Sequence, residues 1–260
     1  MQSLPIIRAV TERQVKRAAL WLLVLAMVAV FVRAGFWQAG RAAGKDQQLA
    51  RAALVLEART PLPLADALAD MPAWVALEGR FDDAPPLRLD NQRRGADVGV
   101  HVYRLFHSDD GARLWVDLGW RPLPADRALP SEPPPPSGAQ RLSGLLVPPP
   151  SAGLAMGPAM MPAADGGWLA LRLTPEALAG ASARAGPAAS APTALAPAFP
   201  NIEQRAVLRL DPALPGGYER DLHLLANTLP PDKHRGYALQ WFGFAAGLLI
   251  LSLYLQFRRP

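Results

Sequence analysis

The stretch that decides the fold is AALWLLVLAMVAVFVRAGFW, residues 18–37. Its first 15 residues, up to Val32, carry no charge, and Arg17 and Arg33 stand at the two ends of that run. The hydrocarbon core of a bilayer takes about 20 residues of helix, and long basic side chains at its edges reach the headgroups. Residues 18–37 therefore predict a transmembrane helix.

A cleaved signal peptide is the alternative for this segment, since a basic region followed by a short apolar run fits both. The place where cleavage would occur reads Val32-Arg33-Ala34, without the small-x-small pattern. The absence of this pattern favours a transmembrane helix that stays as a membrane anchor over a cleaved signal peptide.

A second apolar run lies near the other end of the chain. Residues 237–257 carry no charge and contain only Gln240, Ser252 and Gln256 as clearly polar members. With their polar entry they predict a second transmembrane helix over residues 233–257.

Basic residues flank both predicted helices on the sides that face the chain ends. They are Arg8, Arg13, Lys16 and Arg17 in residues 1–17, and Arg258 and Arg259 in residues 258–260. By the positive-inside rule both termini are predicted to be cytoplasmic, which places residues 38–232 on the outer side of the membrane.

Composition narrows the possible functions. The 260 residues include no cysteine, which excludes disulfides, thiolate catalysis, iron–sulfur clusters and covalent haem attachment. The net charge of +5 is concentrated at the membrane flanks or alternates with acids, so membrane lipid is the expected counter-charge and nucleic-acid binding is not expected. No motif pairs a nucleophile with a base, so we expect no enzyme, and a membrane-anchored hydrolase finds no support.

Between the two apolar runs, short segments with alternating apolar residues follow one another. They are Trp74–Phe81, Leu87–Leu89, Gly99–Phe106, Arg113–Trp120, Arg141–Val147, Trp168–Leu173 and Ala206–Leu210. Strands without intervening helices predict an antiparallel sheet or small barrel. The fold class is therefore a membrane α+β protein, with an extracytoplasmic β-rich domain between two transmembrane helices. Residues 178–200, rich in alanine and proline, predict a flexible insertion.

Helix-forming residues continue beyond the first span, to about Leu56. Trp37, Arg41 and Lys45 then share one helical stripe at i, i+4 and i+8. Such a stripe predicts an interfacial girdle, with the indole at headgroup level and a cation over its face.

The entry to the second helix is the most informative segment. Asp232 is a plausible N-cap, which puts His234 in the first turn, where the helix dipole favours a neutral imidazole that can ligate a metal. Tyr237 and Trp241 follow at i+3 and i+7 and would offer a flat aromatic wall, which suits haem. The alternative is that His234 binds headgroups and the aromatic residues form an ordinary interfacial belt.

Gly243 and Gly247 form a GxxxG motif in the second helix. Glycines at this spacing allow close helix contact, either with the first helix or with a partner subunit.

Several motifs, in this order along the chain, resemble those of the Surfeit locus protein (Surf/Shy) family of cytochrome c oxidase assembly factors. The motifs are GFWQAGRAAGK at residues 35–45, LEGRF at 77–81, LDN at 89–91, GWRP at 119–122 and PDKHRGYALQWF at 231–242. Asp117-Leu118 stands where the family usually has Asn-Arg, and residues 156–200 match poorly, so nothing is transferred to either.

The resemblance implies a function. Members of this family assist maturation of the haem-containing core subunit of the terminal oxidase, and bacterial relatives are associated with haem a. It implies His234 as the haem iron ligand, the oxidase core subunit as partner together with haem a synthase or other assembly factors, and the bacterial inner membrane as location. A cofactor-free scaffold that stabilises a respiratory complex is the alternative.

Overall fold

The computed structural model describes residues 4–153, 156–185, 199, 202–216, 218–224 and 228–258. The chain divides into two compact units. One consists of Met1–Ala50 with Thr228–Pro260, and the other of Arg51–Asn227.

Two long helices build the first unit. They are α1, Leu4–Ala58, of which the unit contains the part up to Ala50, and α5, Pro231–Arg258. Both are long and apolar enough to cross a membrane. Their large apolar side chains are mostly exposed, for example Leu239 at 75% and Phe257 at 83%, whereas the core helix of a soluble protein would bury them. The two predicted apolar helices near the termini are thereby confirmed.

The two helices contact each other along stripes with heptad spacing. Partly or fully buried positions recur at this spacing in α1, at 21, 24, 28, 31, 35, 38, 42 and 45, and in α5, at 231, 234, 238, 241, 245 and 248. Positions beside these stripes, such as 32, 34, 46, 242 and 249, are also partly buried. Alternating steps of three and four residues keep one face of a helix against its partner. Phe31 contacts Trp241 and Gln38 contacts His234, so the helices run antiparallel.

An eight-stranded sheet forms the centre of the second unit. Its strands are β1 Ala73–Phe81, β2 Leu87–Arg94, β3 Asp97–Ser108, β4 Arg113–Pro122, β5 Gln140–Val147, β6 Met160–Pro162, β7 Trp168–Ala170 and β8 Val207–Leu210. The order across the sheet is β1-β5-β8-β4-β3-β2-β7-β6. All seven segments predicted from alternation form strands, and β6 is an additional one.

The sheet is mixed, so the prediction of an antiparallel sheet is wrong for two of its pairings. Strands β2 and β7 run parallel, and so do β4 and β8. Neither β7 nor β8 is joined by a short turn to the strand that it parallels, since β7 follows β6 in a hairpin far along the chain from β2, and β8 comes far along the chain from β4. Strands joined directly by a hairpin turn must instead pair antiparallel.

One additional pairing joins β1 to β3, at Phe81 with Phe106 and Gly79 with Ser108. The pairings of β1, β5, β8, β4 and β3 therefore form a cycle. The small barrel considered from the sequence stays a prediction.

Gly79 makes this additional pairing possible. A Cβ there would collide with the carbonyl oxygen of His107 and lie 2.7 Å from the Cα of Ser108. We expect Gly79→Ala to lower the free energy of unfolding by about 1–3 kcal/mol, the usual effect of overpacking. Urea unfolding of the purified protein measures this. Gly95→Ala is unsuitable as a control because Gly95 has a φ of +61°, whereas Gly180→Ala in open space should not destabilise the protein.

Each face of the sheet carries its own apolar cluster. On β3, Val102 and Phe106 belong to the first cluster, and Tyr103 and Leu105 to the second. The second cluster also packs against Val55 at the end of α1.

The described residues of the second unit also form three short helices, α2 Leu64–Ala69, α3 Pro175–Arg184 and α4 Ile202–Arg205. Helix α3 corrects the prediction of a flexible insertion for its first part, residues 178–184. The side chain of Thr174 caps it by accepting from the amide of Ala177, and Leu178 is fully buried. The rest of that insertion lies outside the described residues, except Ala185 and Phe199.

Candidate functional site

His234 lies in the first turn of α5 and is only 7% exposed. The helix begins at Pro231, so Asp232 is inside the first turn rather than the N-cap that the sequence predicted. Nδ1 of His234 lies 2.7 Å from Oε1 of Gln38, which comes from the opposing stripe of α1. The two residues are 196 positions apart in the chain.

This contact orients the imidazole ring. An amide oxygen only accepts hydrogen bonds, so Nδ1 of His234 donates to it and Nε2 keeps its lone pair. Nε2 makes no hydrogen bond within the described parts of the chain, and it is not among the fully buried atoms without a partner. A polar partner on one ring nitrogen that leaves the other free is typical of metal-ligating histidines.

The two residues of the predicted aromatic wall lie in different surroundings. Trp241 shares the contact stripe with His234, and its ring packs 5.7 Å from that of Phe31 and 6.0 Å from that of Phe244. Tyr237 lies off this stripe and is 42% exposed. Trp241 therefore supports the helix pair beside His234, while Tyr237 offers the accessible aromatic surface.

The three residues of the predicted interfacial girdle on α1 also differ in their surroundings. Trp37 is 60% exposed, and no cation lies over its ring among the described residues. Lys45 donates instead to the hydroxyl of Thr228, at 3.2 Å, and to the carbonyl oxygen of Leu229. Arg41 is exposed.

A second polar link between the helices lies at the same end. Arg235 pairs with Asp46 of α1 and, at 2.6 Å, with Asp232 of its own helix. Lys45 thus joins α1 to the residues just before α5, and Asp46 joins α1 to the first turns of α5 through Arg235.

Gly243 and Gly247 are exposed, and a Cβ at either would meet no heavy atom within 4 Å. The close approach to the partner helix is made by Gly35, where a Cβ would lie 2.6 Å from Cε1 of Phe242. The GxxxG face is therefore not the face that α5 turns towards α1, and its contact with a partner subunit stays a prediction.

A buried ionic network lies on the second face of the sheet. Both oxygens of Asp117 lie 3.0 Å from Nδ1 of His101, and the amide of Gly119 donates to Oδ1, also at 3.0 Å. Nε of Arg209 lies 3.6 Å from Oδ2. Arg209 in turn pairs with Asp221 at 3.1 Å.

Burial by itself would raise the pKa of Asp117. His101, Arg209 and the Gly119 amide together outweigh this effect and hold the pKa of Asp117 below its ordinary value. Burial also raises the pKa of Tyr103 well above its ordinary value, with the charge of Asp117 as the next cause. Asp117 is therefore an ionised carboxylate, to which His101 donates.

Another buried carboxylate, Glu132, directly precedes the four consecutive prolines at residues 133–136. The side chain of Glu132 is fully buried, 3.1 Å from Arg121 and 2.5 Å from the hydroxyl of Tyr218. Burial and then this hydrogen bond raise the pKa of Tyr218 to about 12. Arg88, also fully buried, lies 3.7 Å from Glu132.

The second histidine of β3 is separate from the first. His107 pairs with Asp82 at 2.8 Å, and His101 with Asp117. Among the described residues no group of three or more His, Asp or Glu side chains could hold a metal ion. The two histidines of β3 therefore have different carboxylate partners.

A protein-family model described as the SURF1 family matches residues 25–246, which is most of the chain. The chain belongs to the SURF1 family. Proteins of the SURF1 family are known as cytochrome c oxidase assembly factors, so the resemblance of the motifs is confirmed. A comparison with curated proteins finds no significant match.

The match to the SURF1 family includes both partners of the helix contact, Gln38 and His234, and the ionic network around Asp117. Sequence reasoning singled out His234 but not Gln38 or Arg209. For Gln38 a signal existed, since it stands inside the GFWQAGRAAGK motif. Arg209 stands in a short apolar strand, where no local pattern marks it as the partner of Asp117.

Proposed function

We propose that this chain is a membrane-bound, non-enzymatic assembly factor for a haem–copper terminal oxidase. It assists insertion of haem a into the core subunit and holds haem a through His234. Membership of the SURF1 family supports the first part. The observation that carries the second is the hydrogen bond from Nδ1 of His234 to Gln38, which leaves Nε2 free.

The residues around His234 fit such a ligand. Bound haem a would supply an iron centre that takes an imidazole nitrogen. Gln38 orients the imidazole, Trp241 fixes the helix pair on which the histidine stands, and Tyr237 presents an exposed ring beside it. Since the chain has no cysteine, haem is held without a covalent thioether bond, through coordination and non-covalent contacts.

The proposed location is the bacterial inner membrane, with both termini cytoplasmic and the β unit in the periplasm. The basic residues at the two chain ends support this orientation. In it, the start of α5 and His234 stand at the outer surface of the membrane. The proposed partners are the oxidase core subunit, haem a synthase or other assembly factors, and membrane lipid.

His234→Ala should reduce the haem a that copurifies with the protein by at least about tenfold, because the only oriented nitrogen ligand described at the site is lost. The visible spectrum of protein purified from cells that make haem a measures this. Gln38→Leu should give a smaller loss, since Nε2 remains but the ring is no longer oriented. His223→Ala, which removes an exposed histidine of the β unit, is the matched control and should keep the wild-type spectrum.

An unchanged haem content in His234→Ala would contradict the ligand assignment. The second candidate is a cofactor-free scaffold, and the exposed glycines at 243 and 247 favour it, because they leave a face of α5 open to a partner helix. Absence of haem from the wild-type protein, together with loss of oxidase maturation in Gly243→Leu, would favour the scaffold.

A further inference from the structure

Positive charge collects beside His234 on α1. Arg41 and Lys45 both lie on α1 within two helical turns of Gln38, the residue that contacts His234. Arg41, Lys45 and His234 thus form a basic cluster. Like charges in proximity repel each other, so an anion bound between Arg41 and Lys45 would stabilise the cluster.

The neighbouring carboxylates do not supply one. Asp46 and Asp232 both pair with Arg235. In the part of the chain that the structure describes, neither Arg41 nor Lys45 forms an ion pair with a carboxylate. Lys45 makes its hydrogen bonds to the neutral oxygens of Thr228 and Leu229.

Arg41 and Lys45 both lie on the same side of His234 along the axis of α1. Gln38 marks the level of His234 on α1. Arg41 and Lys45 follow it by three and seven residues, about 4 and 10 Å further along the helix axis. This direction leads away from residues 18–37, the apolar span, so both cations lie on the water side of the histidine.

We propose that Arg41 and Lys45 bind the carboxylate groups of the amphiphile that His234 ligates, which are the two propionates of haem. The inference rests on the proposed function and adds to it the polar end of the ligand. Haem has an apolar macrocycle and two carboxylates on one edge. An iron ligand at the membrane surface with two cations on its water side matches that distribution. Arg41, which is exposed, pairs with a carboxylate through its planar fork.

An anionic phospholipid offers the same oxyanion chemistry from another source. Its phosphate would also be attracted to Arg41 and Lys45. The two sources differ in one respect that can be tested, because only haem loses its carboxylates when it is esterified.

The test compares haem with haem dimethyl ester as ligands of the full-length protein in nanodiscs of phosphatidylcholine, a lipid without net charge. Visible spectra recorded during titration give the two affinities. We expect the wild-type protein to bind haem about tenfold more tightly than the ester. Arg41→Gln should weaken haem binding about five- to tenfold and leave binding of the ester unchanged.

Lys233→Gln is the matched control. It removes one positive charge next to His234 in sequence, from an exposed side chain on α5 rather than from the cluster on α1. Its affinities for haem and for the ester should equal those of the wild-type protein. His234→Ala should weaken the binding of both ligands.

Equal affinity of the wild-type protein for haem and the ester, with both lost in His234→Ala, would overturn the propionate assignment and leave the proposed function standing. Failure of the wild-type protein to bind either ligand would contradict the proposed function and this inference with it. Equal affinities, together with weaker binding of phosphatidylglycerol by Arg41→Gln, would assign the cluster to a lipid phosphate.

Discussion

Asp117→Ala is expected to lower the free energy of unfolding of the β unit by about 3–5 kcal/mol, the usual effect of removing one partner from a buried ion pair. His101 would then be buried without its acceptor, and Arg209 would lose one of its two carboxylate partners and keep Asp221. The amide of Gly119 would lose its acceptor as well. Urea unfolding of the detergent-solubilised protein, followed by the circular dichroism of the sheet, gives the difference.

The exposed pair of Glu78 and Arg141 provides the control. Their side chains are 65% and 79% exposed and lie 3.7 Å apart. Glu78→Ala should change the free energy of unfolding by less than about 1 kcal/mol, because water screens such a pair. An equally small change for Asp117→Ala would contradict the assignment of a buried network.

The same carboxylate predicts how stability depends on pH. Its pKa in the folded protein is below the ordinary value of 3.8, so its contribution to stability is fully present above that value. The contribution is lost as the pH falls through the lower, folded pKa, because the unfolded chain then binds the proton more readily. Asp117→Ala should therefore show less additional destabilisation than the wild-type protein as the pH falls below 3.8 and through the lower, folded pKa.

Trp115→Ala should lower the free energy of unfolding by about 3–5 kcal/mol, the usual result for a large aromatic residue in a core. Trp115 is 1% exposed within the second apolar cluster, and its indole nitrogen donates to the hydroxyl of Ser182 at 3.1 Å. Alanine would leave a cavity and a buried hydroxyl without its donor. Thermal and urea unfolding both measure the loss.

Two further tryptophan variants make this test specific. Trp115→Phe keeps most of the apolar contact and loses only the hydrogen bond, so we expect about 1–2 kcal/mol. Trp37→Ala removes a side chain that is 60% exposed on α1 and should leave the unfolding of the β unit unchanged. A loss as large for Trp37→Ala as for Trp115→Ala would show that the measurement does not report on this core.

Much of the fold could be predicted because it follows from local patterns of apolar and polar residues. A run of uncharged residues the length of a bilayer predicts a helix wherever it occurs, and residues 18–37 lie inside α1 as expected. Alternation of apolar and polar residues predicts a strand, and the segment from Trp74 to Phe81 is β1 almost to the residue. Neither pattern requires knowledge of a partner.

The short elements late in the β unit were harder to predict. Residues 178–184 have the small-residue composition of a linker, yet they belong to a capped helix with Leu178 fully buried. Composition predicts whether a segment can form an apolar core by itself. This helix needs only one large side chain, because Leu178 packs into the second apolar cluster, which residues of the strands build.

The sequence predicts only part of the candidate site. His234 stood out because of its position at the entry to an apolar helix and its motif. Its orientation depends on Gln38, which is 196 positions away, and no local period connects the two. The spacing of residues along α5 predicts the aromatic wall without taking α1 into account. In the structure, Phe31 of α1 packs against the ring of Trp241.

Composition and short periods in the sequence predict two apolar helices on either side of a β-rich segment along the chain, a protein without thiol groups, and the motifs of a SURF1-family chain. These properties depend on the local order of side chains, which any chain with this order retains. Which side chains meet depends instead on the folded structure: Gln38 with His234, Asp117 with His101 and Arg209, and β8 parallel to β4. Such contacts depend on the register between distant segments, which the packing of whole faces sets and no local pattern contains.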